Sequence, residues 1–201
     1  MYTAAFVEDL CGGARWWALD KIQAQGGWKL TTGDSSVIVA VVDSGVDASH
    51  PDLSRGIVIS GRNFTDAANR RDTSDIYGHG THVAGIIAAL SRDSGGATGV
   101  AFDCSILAVK ALNDLGFGFL SDVADGIYYA ADHGARVINL SLSGPDSAIL
   151  REAIDYAYGK GCVVVAAGGN GGNAFMAYPA AYGNVIAVAA TDDADSLAVF
   201  S

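Results

Sequence analysis

The sequence has few cysteines and few prolines, and it has no long apolar run. Its three cysteines, Cys11, Cys104 and Cys162, are odd in number and far apart, and none has the CxxC spacing of a zinc or redox site. The apolar runs beside Cys104 and Cys162 favour buried free thiols. No apolar stretch approaches the roughly 18 residues that span a membrane. The sequence therefore predicts no disulfide framework, no cysteine-based metal site and no transmembrane helix.

Basic residues are also scarce. The chain has 12 Lys and Arg against 22 Asp and Glu, which gives a formal net charge of −10. This acidic balance argues against nucleic acid or an anionic membrane surface as a partner. The first ten residues lack a basic start followed by a long apolar run, so they do not have the pattern of a signal peptide.

Half of the 201 residues are hydrophobic, which is enough for one sizeable core. Short apolar runs alternate with segments of helical periodicity, a pattern typical of βαβ units around a parallel sheet. We therefore expect an α/β fold with three layers, in which helices cover both faces of a mostly parallel central sheet. Strands are predicted at residues 37–42, 57–59, 105–112, 137–142, 162–167 and 185–190, and helices at 81–90, 121–133 and 147–158. Ser121 is expected to cap the second helix, and Ser147 or Asp146 the third. Residues 62–75 are predicted to form a charged surface loop.

The stretch YGHGTHVAG at residues 77–85 begins as a glycine-bracketed turn and continues as a helix. His79 is expected at or just before the helix N-terminus, where its imidazole can act as a general base. His82 suggests a metal site, but the His-Glu-x-x-His pattern of zinc proteases is absent, so we interpret His82 as a structural residue.

The partner for His79 is predicted upstream, at the end of the apolar run VIVAVV. Asp43 follows this run, so its carboxylate is expected at the carboxyl end of a central strand, where open α/β sheets bind ligands. Such a carboxylate orients an imidazole and stabilises its cation. The alternative for each residue taken alone is a strand-end Asp in a turn and a helix-capping His.

These segments resemble a known family. The sequences VVDSGVD at residues 41–47, HPDL at 50–53 and HGTHVAG at 79–85 are similar to the Asp and His blocks of the subtilisin-like serine proteases, in that family's order. The resemblance covers residues 17–201 as a partial peptidase domain and leaves residues 1–16 unassigned. It implies a serine endopeptidase that forms an acyl-enzyme, with Asp43 orienting His79 as general base, and it implies an extracellular monomer with a pro-segment.

The resemblance also implies an oxyanion site. The segment VVVAAGGN at residues 163–170 ends in Asn170, and the family places in this block an Asn that donates to the oxyanion of the tetrahedral intermediate. The alternative is an Asn in a left-handed turn.

Two segments correspond to substrate edges in the family. One is Leu115, Gly116, Phe117 and Gly118, and the other is Ser141, Leu142, Ser143 and Gly144. An extended peptide or protein substrate is expected to pair with such edges as an added strand. Each segment taken alone also reads as an ordinary loop.

The resemblance implies no cofactor for the chemistry, but it suggests structural calcium. Asp52 stands where family members supply a calcium carboxylate, and residues 91–98 form a loop rich in oxygen ligands.

The family's nucleophile, a Ser in a Gly-Thr-Ser-Met-Ala type block, has no counterpart among the 201 residues. The resemblance therefore implies that the C-terminal part of the domain is missing, that the nucleophile lies beyond Ser201, and that residues 1–201 alone show no peptidase activity. The alternative is a non-catalytic pseudoprotease or peptide-binding relative. A metal hydrolase is a more distant alternative, for want of ligands.

Overall fold

The computed structural model describes residues 3–4, 17–90, 97–172 and 175–201. Its strands are β1 (Thr3–Ala4), β2 (Ile38–Asp43), β3 (Val58–Asn63), β4 (Ser105–Lys110), β5 (Ala135–Leu140), β6 (Leu142–Ser143), β7 (Val163–Ala167) and β8 (Val185–Val188). Its helices are α1 (Trp17–Lys21), α2 (Ala24–Trp28), α3 (His79–Ala88), α4 (Leu120–Asp132) and α5 (Ala148–Gly159). No helix in this part of the chain is long and apolar enough to cross a membrane.

The main sheet has six strands in the order β3-β4-β2-β5-β7-β8, and every neighbouring pair is parallel. The predicted parallel sheet is confirmed. Strands β1 and β6 form a separate antiparallel pair, in which Thr3 lies opposite Ser143 and Ala4 opposite Leu142.

Strand β2 is apolar on both faces because helices cover both faces of the sheet. Val39 and Val41 belong to a core cluster that also contains Ala84 of α3. Ala40 and Val42 point to the opposite face, into a larger cluster that is completed by residues of α4 and α5. This arrangement confirms the predicted three layers and explains why β2 reads as an uninterrupted hydrophobic run.

The helix starts differ in detail from those that the sequence predicts. The prediction that Ser121 caps a helix is wrong, because the N-cap position of α4 is Phe119 and Ser121 lies inside the first turn. Ser147 does occupy the N-cap position of α5, but its side chain makes no capping hydrogen bond. Local capping signals placed these helices correctly to within a few residues, which is their usual resolution.

The cysteine prediction is confirmed for the two cysteines that the structure describes. Cys104 and Cys162 are free thiols, 5% and 4% exposed. The Sγ of Cys162 lies 3.0 Å from the carbonyl oxygen of Ala135, and burial raises the pKa of this thiol. Both behave as small core residues. Cys11 lies outside the described residues.

Candidate active site

The carboxyl ends of three neighbouring strands meet where the sheet order reverses. The chain places β3 and β4 on one side of β2 and places β5, β7 and β8 on the other. Asp43 is the last residue of β2, and residues 141 and 168 follow the ends of β5 and β7 directly. Because the strands are parallel, all these ends lie at one edge of the sheet, where ligands bind in open α/β folds.

Asp43 and His79 meet at this edge. Nδ1 of His79 lies 2.8 Å from Oδ1 and 2.9 Å from Oδ2 of Asp43. Both residues are buried, with Asp43 0% and His79 3% exposed. An ionised carboxylate can only accept, so Nδ1 carries the proton and Nε2 of the neutral ring carries a lone pair. The predicted pairing is therefore present, and its geometry is compatible with a general base that acts through Nε2.

Glycine allows the helix start to approach the end of β2 this closely. Helix α3 begins at His79, as expected, and its N-cap Gly78 has a φ of 90°. A Cβ atom on Gly80 would collide with the carbonyl oxygen of Gly45 and would lie 3.1 Å from Cβ of Asp43. The glycine after His79 therefore sets how near the imidazole comes to the carboxylate.

His79 opens onto a cavity of about 250 Å³ at the same edge of the sheet. The ends of β5 and β7 line its other sides, through Asn139, Ser141 and residues 168–170. His82 also lines this cavity. Its pKa is lowered mainly by burial and to a smaller extent by the charge of the nearby His79. The described ranges contain no group of three or more His, Cys, Asp or Glu side chains that could hold a metal ion.

The structure places Asn170 in the wall of this cavity, at an exposed position beyond β7. The left-handed conformations in this turn belong to Gly169, with a φ of 113°, and to Gly172, with a φ of 58°. Asn170 itself is not among the described residues with positive φ. Asn170 thus lies in a turn with left-handed glycines but is not itself left-handed, and it lines the same cavity as His79.

The second predicted substrate edge borders this cavity. Ser141 lines the cavity, and Ser143 and Gly144 are half-buried. Leu142 is fully buried in the core, so only its backbone can contact a substrate. The backbone of Leu142 and Ser143 pairs with β1 in the structure.

The first predicted substrate edge lies outside the described lining of the cavity. Asn113 Oδ1 accepts hydrogen bonds from the backbone N–H groups of Leu115 and Phe117, which folds this segment into a turn. Gly116 packs against Tyr77, because a Cβ on Gly116 would lie 2.6 Å from the Tyr77 ring. Gly118 is equally constrained by the backbone that follows β4, where a Cβ would collide with the carbonyl of residue 111.

Two described serines line the cavity, and both hydroxyls accept hydrogen bonds within the chain. Ser141 Oγ accepts from the side-chain amide of Asn139 at 2.9 Å, and Ser201 Oγ accepts from the Ala190 N–H at 2.9 Å. Neither serine stands in the sequence context of the family's nucleophile.

Lys110 is a buried functional-site neighbour that the sequence analysis missed. It is 5% exposed, and its ammonium donates to the Ser44 carbonyl at 2.6 Å, the Ser74 carbonyl at 3.1 Å and Asp114 Oδ1 at 2.8 Å. The sequence does contain a signal for it, which is a single lysine inside the apolar run SILAVKAL. A lysine in a buried strand requires hydrogen-bond partners, so its position predicts a polar contact inside the fold.

Asp52 helps to fix the chain after α3. Its Oδ2 accepts the backbone N–H of Ala97 at 3.0 Å, and its carbonyl accepts that of Leu90 at 3.0 Å. One carboxylate is far fewer than the six to eight oxygens that calcium takes, so Asp52 alone makes no site. Most of the oxygen-rich loop predicted with it, residues 91–96, lies outside the described residues.

The site can be compared with known proteins. The family model described as "Subtilase family" matches residues 34–201. The chain is 53% identical over 176 residues to the thermophilic serine proteinase of Bacillus sp. (strain AK1), covering 87% of the chain and 43% of that protein. It is 48% identical over 189 residues to thermitase of Thermoactinomyces vulgaris, covering 94% of the chain and 66% of that protein.

Solved structures give the same result. Sphericase superposes with a TM-score of 0.74 at 41% identity, over 80% of this chain and 55% of that one. The chain thus spans about two thirds or less of the length of these relatives. The match over residues 34–201 includes Asp43, His79 and Asn170, and the sheet has the fold of the solved relative. The chain therefore belongs to the subtilase family of peptidases.

Proposed function

We propose that the protein containing this chain is a subtilisin-type serine endopeptidase that hydrolyses peptide bonds through an acyl-enzyme. The observation that carries the proposal is the buried pair of Asp43 and His79 at the cavity, with Nδ1 of His79 2.8 Å from Oδ1 of Asp43. In the proposed reaction, Nε2 of His79 takes the proton of the attacking hydroxyl and later gives it to the leaving amine. Asp43 holds the ring in the required tautomer and stabilises the imidazolium.

Asn170 is proposed to stabilise the oxyanion. Its position in the wall of the cavity that His79 lines supports this role. The side chain would donate to the negative oxygen of the tetrahedral intermediate, a contribution worth roughly 3 kcal/mol in subtilisin itself, where it was measured.

The nucleophile is proposed to be a serine outside these 201 residues. Ser141 and Ser201 are the described serines that line the cavity, and their hydroxyls already accept other hydrogen bonds. Reading the coding sequence past codon 201 tests this part: a Gly-Thr-Ser block in frame supports it. A stop codon without such a block would favour a non-catalytic relative that binds peptides.

The substrate is proposed to be an extended peptide or protein segment that adds as a strand beside residues 141–144. The backbone of Ser143 and Leu142 pairs with Thr3 and Ala4, so it can form a strand pair, and a substrate strand on that side would take the place of β1. Residues 115–118 are proposed as the opposite edge, on family resemblance. A peptide bound here would gain affinity from backbone hydrogen bonds and specificity from the side chains that enter the cavity.

The setting is proposed from the family. We propose an extracellular monomer with a pro-segment, without nucleic-acid or membrane partners and without a cofactor in the chemistry. Calcium is proposed only as a structural ion, with Asp52 as one ligand through the carboxylate oxygen that does not accept the Ala97 N–H.

Replacement of Asp43 tests the proposed mechanism in the full-length protein. Asp43→Asn should leave KM for a fluorogenic peptide little changed and lower kcat by about 10⁴-fold, the size known for this change in a Ser-His-Asp protease, because the ring loses its tautomer and its counter-charge. His133→Gln, at the exposed end of α4, is the control and should retain full activity.

A serine-directed phosphonate probe separates the two candidate functions. Labelling of the wild type, and its loss in His79→Ala, would support the endopeptidase. A folded wild type that binds an extended peptide but neither reacts with the probe nor cleaves would refute catalysis in favour of the peptide-binding alternative.

A further inference from the structure

Asp75 connects the two halves of the catalytic pair, although sequence reading placed it at the end of a charged surface loop. Its Oδ1 accepts hydrogen bonds from Ser44 Oγ and the Gly78 N–H, both at 2.8 Å. Its Oδ2 accepts from the Thr81 N–H at 2.8 Å and from Thr81 Oγ1 at 2.6 Å. One carboxylate is therefore bonded both to the residue after Asp43 and to the helix that carries His79.

On the helix side, Asp75 does what the N-cap residue does not do. The N-cap Gly78 has no side chain, and the first N–H groups of a helix have no partner within it. The Asp75 carboxylate takes the N–H groups of Gly78 and Thr81, and its charge is favourable at the positive end of the helix. The orientation of the first turn, which contains His79, is thereby tied to Asp75.

On the strand side, the connection passes through Ser44, which is 0% exposed. The Ser44 hydroxyl donates to Asp75 and accepts the Gly80 N–H at 3.0 Å. The Ser44 N–H donates to Oδ1 of Asp43 at 2.7 Å, the same oxygen that lies 2.8 Å from Nδ1 of His79. Asp75, Ser44, Asp43 and His79 thus form one closed set of short hydrogen bonds and covalent links.

We infer that Asp75 is a positioning residue of the proposed endopeptidase, and that through Ser44 it fixes the distance and orientation between the Asp43 carboxylate and the His79 ring. The inference deepens the proposed function and rests on it. Asp75 does not contact the reacting atoms. It acts because four donors from two elements converge on one carboxylate, and charge-assisted bonds of this kind are short and strong.

The test uses Asp75→Asn in the full chain, with Asp72→Asn as the matched control. Asp72 lies in the same loop, and among the described residues its carboxylate accepts only from near neighbours in the chain, namely the N–H and the side chain of Ser74 and the side-chain amide of Asn69. In Asp75→Asn, the new amide would keep the shape of the side chain but replace one acceptor oxygen by a donor. The new NH₂ group would therefore face at least one of the four present donors, and that hydrogen bond would be lost.

The first measurement is the low-field NMR resonance of the His79 Nδ1 proton, which does not require turnover. Asp75→Asn should shift this resonance and speed its exchange with water, while Asp72→Asn leaves it unchanged. The second measurement is steady-state kinetics. A misplacement of about 1 Å costs up to about 10²-fold in rate, so kcat should fall by about 10- to 100-fold with KM within about twofold.

Ser44→Ala separates positioning from helix capping. This variant keeps the bonds of Asp75 to Gly78 and Thr81 but removes the link toward Asp43, so it should change the His79 resonance in the same sense as Asp75→Asn. The double variant should change the His79 resonance and kcat little more than either single variant does, because both substitutions break the same connection from Asp75 through Ser44 to Asp43.

The outcomes are distinguishable. If Asp75→Asn does not fold, Ser44→Ala decides the question. A folded Ser44→Ala protein with an unchanged His79 resonance would overturn the inference and leave Asp75 as a helix cap. A wild type without peptidase activity but with an Asp75-dependent resonance would overturn the proposed function and keep the positioning role.

Discussion

Removal of the Lys110 ammonium should destabilise the fold far more than loss of an ordinary lysine. Lys110 ends β4 beside Asp43, its register partner on β2, and is 5% exposed. Lys110→Met keeps most of the side-chain volume and removes the charge. The two carbonyls that accept from it, those of Ser44 and Ser74, would then lose a charged donor.

The magnitude follows from the burial of each partner. A buried acceptor left without its donor costs about 1–3 kcal/mol, so two such carbonyls would give about 2–6 kcal/mol, and the part-buried Ser74 carbonyl contributes at the low end of its share. The Asp114 carboxylate is half exposed, so its bond to Lys110 contributes up to about 1 kcal/mol after solvent screening. The desolvation of the ammonium, which the variant no longer suffers, offsets part of this sum. We expect a net loss of about 2–4 kcal/mol.

Urea unfolding monitored by circular dichroism measures this loss. Lys29→Met is the control, because Lys29 is exposed and its replacement should change the free energy of unfolding by no more than about 0.5 kcal/mol. Asp114→Asn should cost at most about 1 kcal/mol, since it removes only the screened partner. Equal unfolding midpoints for Lys110→Met and Lys29→Met would refute the reasoning, because the buried carbonyls would then not depend on the ammonium.

Three further predictions concern His82, Gly80 and Asp52. Burial lowers the pKa of His82 below its ordinary 6.5, so below about pH 6.5 the unfolded chain binds more protons than the folded one, and stability falls as the pH drops through the folded pKa. The urea midpoints at about pH 5 and about pH 8 should therefore differ less in His82→Gln than in the wild type. An equal difference in the two proteins would count against this role of His82. Gly80→Ala should cost about 1–3 kcal/mol or more in unfolding free energy, because its Cβ would collide with the Gly45 carbonyl. The control Gly85→Ala, whose Cβ would meet nothing closer than 4.0 Å, should be neutral or stabilising, and equal costs for the two would exclude the steric explanation. A chelator should lower the Tm of the wild type but not of Asp52→Asn if calcium binds there; an unaffected wild type would remove the calcium proposal.

Local signals account for much of what could be predicted. The run of β2 is apolar on both faces, so its burial and its parallel neighbours follow from composition alone. The glycines around His79 mark a turn that leads into a helix, and the strand-end position of Asp43 follows from where the apolar run stops. Two blocks of this kind suffice to place a carboxylate and an imidazole at one edge of a parallel sheet.

Helix starts were predicted less well, because they are decided by packing as well as by capping. Ser121 has the chemistry of a cap, yet α4 begins at Leu120, since Phe119 takes the extended N-cap conformation and Leu120 packs against the core. Ser147 has the right position but makes no capping bond. Propensity is a weak preference that tertiary contacts override by a few residues.

By itself, the sequence determined the α/β architecture, the strand that carries Asp43, the helix that carries His79 and the family to which both segments belong. These depend on periodicity, on glycine and on short blocks, all of which are local along the chain. Only the tertiary structure decided that the charged groups of Asp75 and Lys110 form hydrogen bonds to separate segments of the chain instead of being solvated at the surface. The reason is physical: a charge is stable away from water only where donors or acceptors from separate segments converge on it, and that convergence exists only once the chain has folded.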